Sequence, residues 1–367
     1  MNNVILAKNF ELIYFNILLI LVILTWFLME LKYNSYKKIS LFSLVSGVFL
    51  YFFTLIIIGL RPVTWYFGDM GQYNKMFNIF AKGWELNINK DFIFYSIMKA
   101  LSYFGTSSLF FFVIAFLYIT PLYIASKRLF KKYYYFAFLI LVTSFEFWSY
   151  GVNGIRNGLA TSIMILAFSY MNKKVIMYLL FLLAFGIHSS VLIPILAYFI
   201  SSLYKSKTFY FKIWFVSIFV SYLIGNYIEE IITSLGIMDE DVVMTYFKNK
   251  DLYAKSFSHT GFRWDFLLYS SSAVIISYYF IIKKKFNDDY YIQLTNIYLL
   301  SNLAWILVIR ASFSNRFAYL SWFMMGLIII YPFLKQKFWK KQFAYVGRII
   351  LIYFIFTYIM KFIIPRI

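Results

Sequence analysis

The feature that most constrains this chain is a succession of apolar runs, most of them near the length of a membrane crossing, separated by short groups of lysine. A helix needs ~20 apolar residues to cross ~30 Å of hydrocarbon. Runs near 12–31, 39–60, 107–126, 133–150, 154–171, 175–187, 189–204, 209–228, 263–282, 290–309, 316–334 and 343–363 predict about twelve transmembrane helices. The pair 175–187 and 189–204 is short, with only Gly186-Ile187-His188 between its members, and reads equally as one broken helix. Composition agrees: 62% of residues are hydrophobic and 14% charged, far from a soluble protein. The expected fold class is an all-α polytopic integral membrane protein, with residues 1–367 as a single membrane domain. The first run exceeds a signal-peptide core and no small-residue cleavage site follows it, so it reads as a retained helix.

Lysine and arginine outnumber aspartate and glutamate by 35 to 15. The basic residues fall in short groups at run boundaries rather than along one stripe, which argues against nucleic acid as a partner. The groups at Lys32, Lys37 and Lys38; Lys127, Arg128, Lys131 and Lys132; Lys173 and Lys174; Lys205, Lys207 and Lys212; Lys283 to Lys285; and Lys335, Lys337, Lys340 and Lys341 all fall on one side of a twelve-span topology. By the positive-inside rule that side is cytoplasmic. Both termini and two longer loops, about 61–106 and 229–262, are then expected outside. In the first loop the stretch 92–103 is apolar but too short to cross, and predicts an interfacial or re-entrant helix. The absence of cysteine excludes disulfides, thiolate nucleophiles and Cys-ligated zinc.

Arginine is sorted differently from lysine. Of the eight arginines, Arg61, Arg156, Arg263, Arg310, Arg316 and Arg366 fall on or near the outer side, while eighteen of the twenty-seven lysines sit in the inner groups. Topology alone treats the two residues alike, but a guanidinium makes bidentate contact with phosphate and stays charged when partly buried. The asymmetry points to an outward polyanion site, most simply a diphosphate. The structural alternative is that these arginines snorkel to headgroups or pair with loop carboxylates.

Four segments together resemble the EpsG/Wzy-type polysaccharide polymerases, which extend surface glycans on an undecaprenyl diphosphate carrier. They are Gly59-Leu60-Arg61-Pro62 leading to Gly68-Asp69-Met70-Gly71-Gln72-Tyr73; Asn153-Gly154-Ile155-Arg156-Asn157-Gly158-Leu159-Ala160; Gly186-Ile187-His188-Ser189-Ser190; and Asn315-Arg316-Phe317-Ala318-Tyr319. Ile187 stands where the family pattern has an aromatic residue. The resemblance implies a GT-C-like membrane glycosyltransferase in the bacterial cytoplasmic (inner) membrane, polymerising lipid-linked repeat units on the non-cytoplasmic face. Its implied partners are undecaprenyl-diphosphate-linked glycan donor and acceptor, membrane lipids, a separate chain-length regulator and a flippase. An O-antigen-type ligase using the same donor, or a lipid-linked oligosaccharide transporter, are the alternatives.

Such a reaction needs fixed positive charge at the departing diphosphate and a base at the attacking hydroxyl. Arg156 and Arg316, then Arg61 and Arg310, are the expected diphosphate ligands. Asp69 is the first candidate base, because the resemblance implies an acid in the first outer loop; an Asx turn among its flanking glycines is the structural alternative. His188 is the second, since imidazole is the side chain that changes charge near neutrality; a histidine bridging two short helices is the plain reading. Tyr73 and Tyr319 are candidates for positioning substrate, against interfacial tyrosine as the default. Glu146 lies in an apolar run where an unpaired charge is costly, and is expected to pair with an arginine. His259 reads as a loop residue. Neither histidine has a metal-ligand spacing, so no cofactor and no obligatory metal are expected.

Overall fold

The structure, a computed structural model, describes residues 2–31, 36–85, 90–234, 261–312 and 314–363. These form helices joined by short turns, with no strand among them. The chain divides into two compact units, residues 1–191 with 333–361, and residues 192–332 with 362–367.

The first unit contains α1 (Asn2–Glu30), α2 (Tyr36–Gly59), α3 (Met70–Ala81), α4 (Phe92–Ser102), α5 (Ser107–Phe130), α6 (Tyr134–Val142), α7 (Phe145–Val152), α8 (Ile155–Ser169) and α9 (Lys174–Ile187). Helix α8 packs on both α5 and α9, and α2 packs on α5. All nine residues of α6 are buried, as expected of a helix that is apolar all round. It stops at Thr143-Ser144 and resumes as α7, so the expected run 133–150 is a broken helix. Two tyrosines bond to carbonyls flanking the break: the Tyr14 hydroxyl donates to Val142 O at 2.6 Å and the Tyr118 hydroxyl to Phe147 O at 3.0 Å. In hydrocarbon no water can do this. Gly47 lets α6 approach α2, because a Cβ there would lie 2.4 Å from the Tyr134 ring, whose hydroxyl reaches Leu44 O at 3.0 Å.

Helix directions give this unit two distinct ends. The turns carrying Lys131 and Lys132, and Lys173 and Lys174, lie at one end, with the start of α2. At the other lie the end of α2, the start of α8 with Arg156, and the end of α9 with His188. A 24-residue α2 separates them by ~36 Å.

The second unit holds α10 (Leu192–Leu203), α11 (Phe209–Ser234), α12 (Trp264–Tyr278), α13 (Asp289–Leu307), α14 (Asn315–Trp322) and most of α15 (Met325–Lys335). Polar side chains on α13 tie it together: Asn302 accepts from Trp214 Nε1 at 2.8 Å and donates to Ser321 Oγ at 2.9 Å. The last helix, α16 (Gln342–Phe362), returns to the first unit.

Seven stretches are long and apolar enough to cross a membrane: Ile5–Glu30, Lys38–Gly59, Ser107–Val142, Phe209–Ile231, Trp264–Lys283, Asn315–Lys335 and Gln342–Phe362. Among the described residues the protein is therefore all-helical, with seven candidate spans where the sequence predicts about twelve. All twelve predicted runs are helical, but the remainder are short, broken or polar. Helix α8 has 15 residues and α9 has 14, lengths of ~22 Å against ~30 Å of hydrocarbon. The predicted runs 175–187 and 189–204 are separated by an extended His188 and a 3-10 turn over Ser189–Val191. The acidic loop residues Asp239, Glu240 and Asp241, with His259 and Arg366, lie outside the described residues.

Candidate active site

Three of the four sequence motifs converge at the arginine end of the first unit. Gly68 has φ +63°, and a Cβ there would fall 2.5 Å from Asn153 Oδ1, so the backbone turn and the close approach both call for glycine. The same Asn153 Oδ1 accepts the Asp69 backbone N–H at 2.8 Å, joining the first motif to the second. The second meets the third where Ser190 Oγ donates to Asn157 Oδ1 at 2.7 Å. At Gly186 a Cβ would lie 2.5 Å from Ile93 Cδ1; its absence lets the end of α9 close on the start of α4.

That closure delivers Asp91, which sequence reasoning missed, to the centre of the site. Its carboxylate, with only 4% of the side chain exposed, accepts Arg156 Nη1 at 2.7 Å and His188 Nδ1 at 3.0 Å on Oδ2. The Ser189 backbone N–H donates to Oδ1 at 3.4 Å. Arg156 also donates from Nε to the Tyr73 hydroxyl at 3.1 Å and from Nη1 to the Tyr95 hydroxyl at 3.2 Å. Asp91 sits at φ +56°, a left-handed conformation that an L residue holds at a cost on the order of 1 kcal/mol. The three donors on its carboxylate offset that cost.

Burial by itself would push the Asp91 carboxyl up. The His188 hydrogen bond, with the Arg156 guanidinium and the Ser189 backbone N–H, outweighs burial and holds it below the ordinary carboxylate range. An ionised Asp91 requires His188 Nδ1 to carry the proton, which leaves the lone pair of a neutral ring on Nε2. Nε2 makes no hydrogen bond among the described residues, and 23% of the side chain is exposed. Arg156 is 30% exposed at its side chain, and its Nη2 makes no hydrogen bond among the described residues. Burial pushes the Tyr73 phenol up to about 12, so it accepts from Arg156 as a neutral hydroxyl. The arrangement can take a proton at His188 Nε2 and offer guanidinium N–H to an anion a few ångströms away.

The other expected residues are used differently. Asp69 is half-buried at the start of α3, and its side chain makes no capping hydrogen bond there. Arg61 is 3% exposed, donates to Ile58 O and lies over the Phe67 and Phe111 rings. Burial pushes its guanidinium down to about 9, still charged at neutral pH. It thus closes the end of α2 and does not join the Asp91 cluster. Glu146 is buried at the start of α7, and among the described residues no arginine pairs with it: its Oε2 has no hydrogen-bond partner there. The expected ion pair fails because the break before α7 turns Glu146 inward among apolar and tyrosine side chains.

In the second unit, Arg310 forks onto backbone carbonyls, Nη1 to Ser221 O at 2.7 Å and Nη2 to Tyr222 O at 2.9 Å. These lie just before Ile224, whose φ −128° and ψ 20° kink α11. Arg263 makes a bidentate pair with Asp265 at 2.9 and 2.6 Å. Arg316 is exposed in the first turn of α14, and the Tyr319 hydroxyl receives Asn315 Nδ2 at 3.3 Å. Among the described residues, Arg61, Arg263 and Arg310 are engaged by structural partners away from the histidine–carboxylate cluster, and Arg156 is bound into it.

No curated protein and no solved structure matches the sequence. A family model, described as the EpsG family, matches residues 44–365, which includes all four motifs, Asp91 and both ends of the first unit. This chain belongs to the EpsG family.

Proposed function

We propose that the protein is a membrane glycosyltransferase of the polysaccharide-polymerase type, joining undecaprenyl-diphosphate-linked oligosaccharide repeat units into a surface polysaccharide on the non-cytoplasmic face. Family membership supports a polymerase-type role, and the observation that carries the assignment to residues is one carboxylate, Asp91, holding both His188 and Arg156. His188 Nε2 takes the proton of the acceptor hydroxyl as its oxygen bonds the anomeric carbon of the donor. The bond from that carbon to the diphosphate breaks, and its electron pair leaves with the diphosphate. Arg156 meets the growing negative charge, a preorganised contribution that requires no reorganisation at the moment of reaction. Asp91 orients the imidazole and stabilises the imidazolium that forms, and is a positioning residue.

The lysine groups at the opposite end of the first unit support an outward placing of this site under the positive-inside rule. The reading predicts a GT-C-like enzyme that works without a metal. Its test is incubation of the purified protein with its lipid-linked repeat unit: a ladder of lengthening products supports polymerisation, and a single transfer to a lipid core supports ligation instead.

A further inference from the structure

At the lysine end of the first unit a cavity of about 610 Å³ opens between the end of α1, the start of α2, the turn between α5 and α6, and the loop before α16. Lys335, Lys337, Lys340 and Lys341 line it, against one acid, Glu30. Glu30 is already neutralised by the Arg348 fork, with Nη2 at 3.0 Å from Oε2. The backbone of the loop that carries three of these lysines is held by a buried side chain. Gln342 donates to the Phe333 and Gln336 carbonyls and accepts the Phe338 N–H at 2.6 Å and the Trp339 N–H at 3.4 Å. Its amide thus spends its bonding capacity fixing the loop that carries Lys337, Lys340 and Lys341. Topological lysines need only lie on the right side of a membrane, and need no fixed loop around a cavity.

We propose that this cavity binds a phosphate group carried by the headgroup of an anionic lipid. The lysines supply ammonium donors to the phosphate, and Met29, Ile39 and Phe343 give the cavity an apolar wall. Leu31, which follows the lining residue Glu30, and Leu41 and Leu44, on α2 just after the lining residue Ile39, are exposed apolar side chains that acyl chains would cover under this proposal. The site is ~36 Å along α2 from the Asp91 cluster and stands independently of the proposed reaction.

The test is native mass spectrometry of the full chain, delipidated in detergent and supplied with phosphatidylglycerol or phosphatidylethanolamine. The wild type retains phosphatidylglycerol in preference. Replacing Lys337, Lys340 and Lys341 together by Gln lowers that retention by about tenfold or more, while replacing all three by Arg keeps it. These side chains are exposed, so the variants are expected to fold, and the arginine variant controls for it. Equal retention by the wild type and the glutamine variant would overturn the site. Displacement of the lipid by excess inorganic phosphate would overturn the lipid as the carrier.

Discussion

His188 Nδ1 stands 3.0 Å from Asp91 Oδ2 although 97 positions separate the two residues in the chain. The pairing depends on Gly186, on the extended backbone of His188 at the end of α9, and on the left-handed turn at Asp91. It fixes the orientation of the imidazole at the helix end, as the proposed base role requires.

Replacing Asp91 by Asn keeps the shape and removes the charge that fixes the imidazole tautomer. Polymer formation is expected to fall by about 10²-fold or more, with the protein still folded. A rate equal to wild type would remove Asp91 from the mechanism. A lower rate that rises with pH, relative to wild type, is the mark of a misoriented base rather than a disrupted fold.

His188→Gln and Asp69→Asn separate the two candidate bases. The first should lower the rate by roughly 10²- to 10⁴-fold. The second should leave most activity, because the Asp69 backbone rather than its carboxylate makes the contact to Asn153. Single-turnover rates on the lipid-linked substrate give the comparison directly, and the reverse order would transfer the role to Asp69.

Arg156→Lys and Arg310→Lys should fail in different ways. Lysine at 156 cannot hold Asp91 and the Tyr73 and Tyr95 hydroxyls together, and the rate should drop about 10²-fold. Lysine at 310 cannot bridge the Ser221 and Tyr222 carbonyls, so it should lower thermal stability, by roughly 1–3 kcal/mol for carbonyls left without a donor, with smaller change in rate.

Acid should loosen the cluster late. A carboxylate whose folded pKa is depressed contributes stability that is complete above its unfolded value, ~3.9, and is lost as pH falls through the lower folded value. The stability that Asp91→Asn forfeits should therefore be present throughout the range above about pH 4 and shrink below it. Thermal unfolding across that range measures it; a difference that vanishes already near pH 6 contradicts an ionised, paired Asp91.

How much of this was legible in the sequence follows from the physics of each feature. Long apolar runs declare themselves, because crossing length and hydropathy are local properties, and every predicted run is helical. The number of crossings is not local. Helix α8 can be shorter than a bilayer because neighbours enclose it, and Thr143-Ser144 breaks a run whose open backbone is partnered by Tyr14 and Tyr118 from elsewhere. Arg156, Tyr73 and His188 were visible through motif and order. Asp91 was not, since Lys90-Asp91-Phe92 reads as an ordinary loop acid; its one signal was an acid directly ahead of a short apolar helix. The arginine asymmetry was read toward one anion site, yet Arg61 and Arg310 satisfy helix carbonyls, a use that sequence cannot distinguish from phosphate binding.

The expected independence from metal is checked by chelation. Product ladders made by purified protein should persist in excess EDTA, and loss with chelator followed by recovery on adding a divalent cation would reverse the assignment.

The most direct test of the central claim is to reconstitute the chain in proteoliposomes with its undecaprenyl-diphosphate-linked repeat unit and compare wild type with Asp91→Asn and His188→Gln at equal folded protein. The account predicts a lengthening product ladder from the wild type and little or none from either variant. A full ladder from both variants would contradict it.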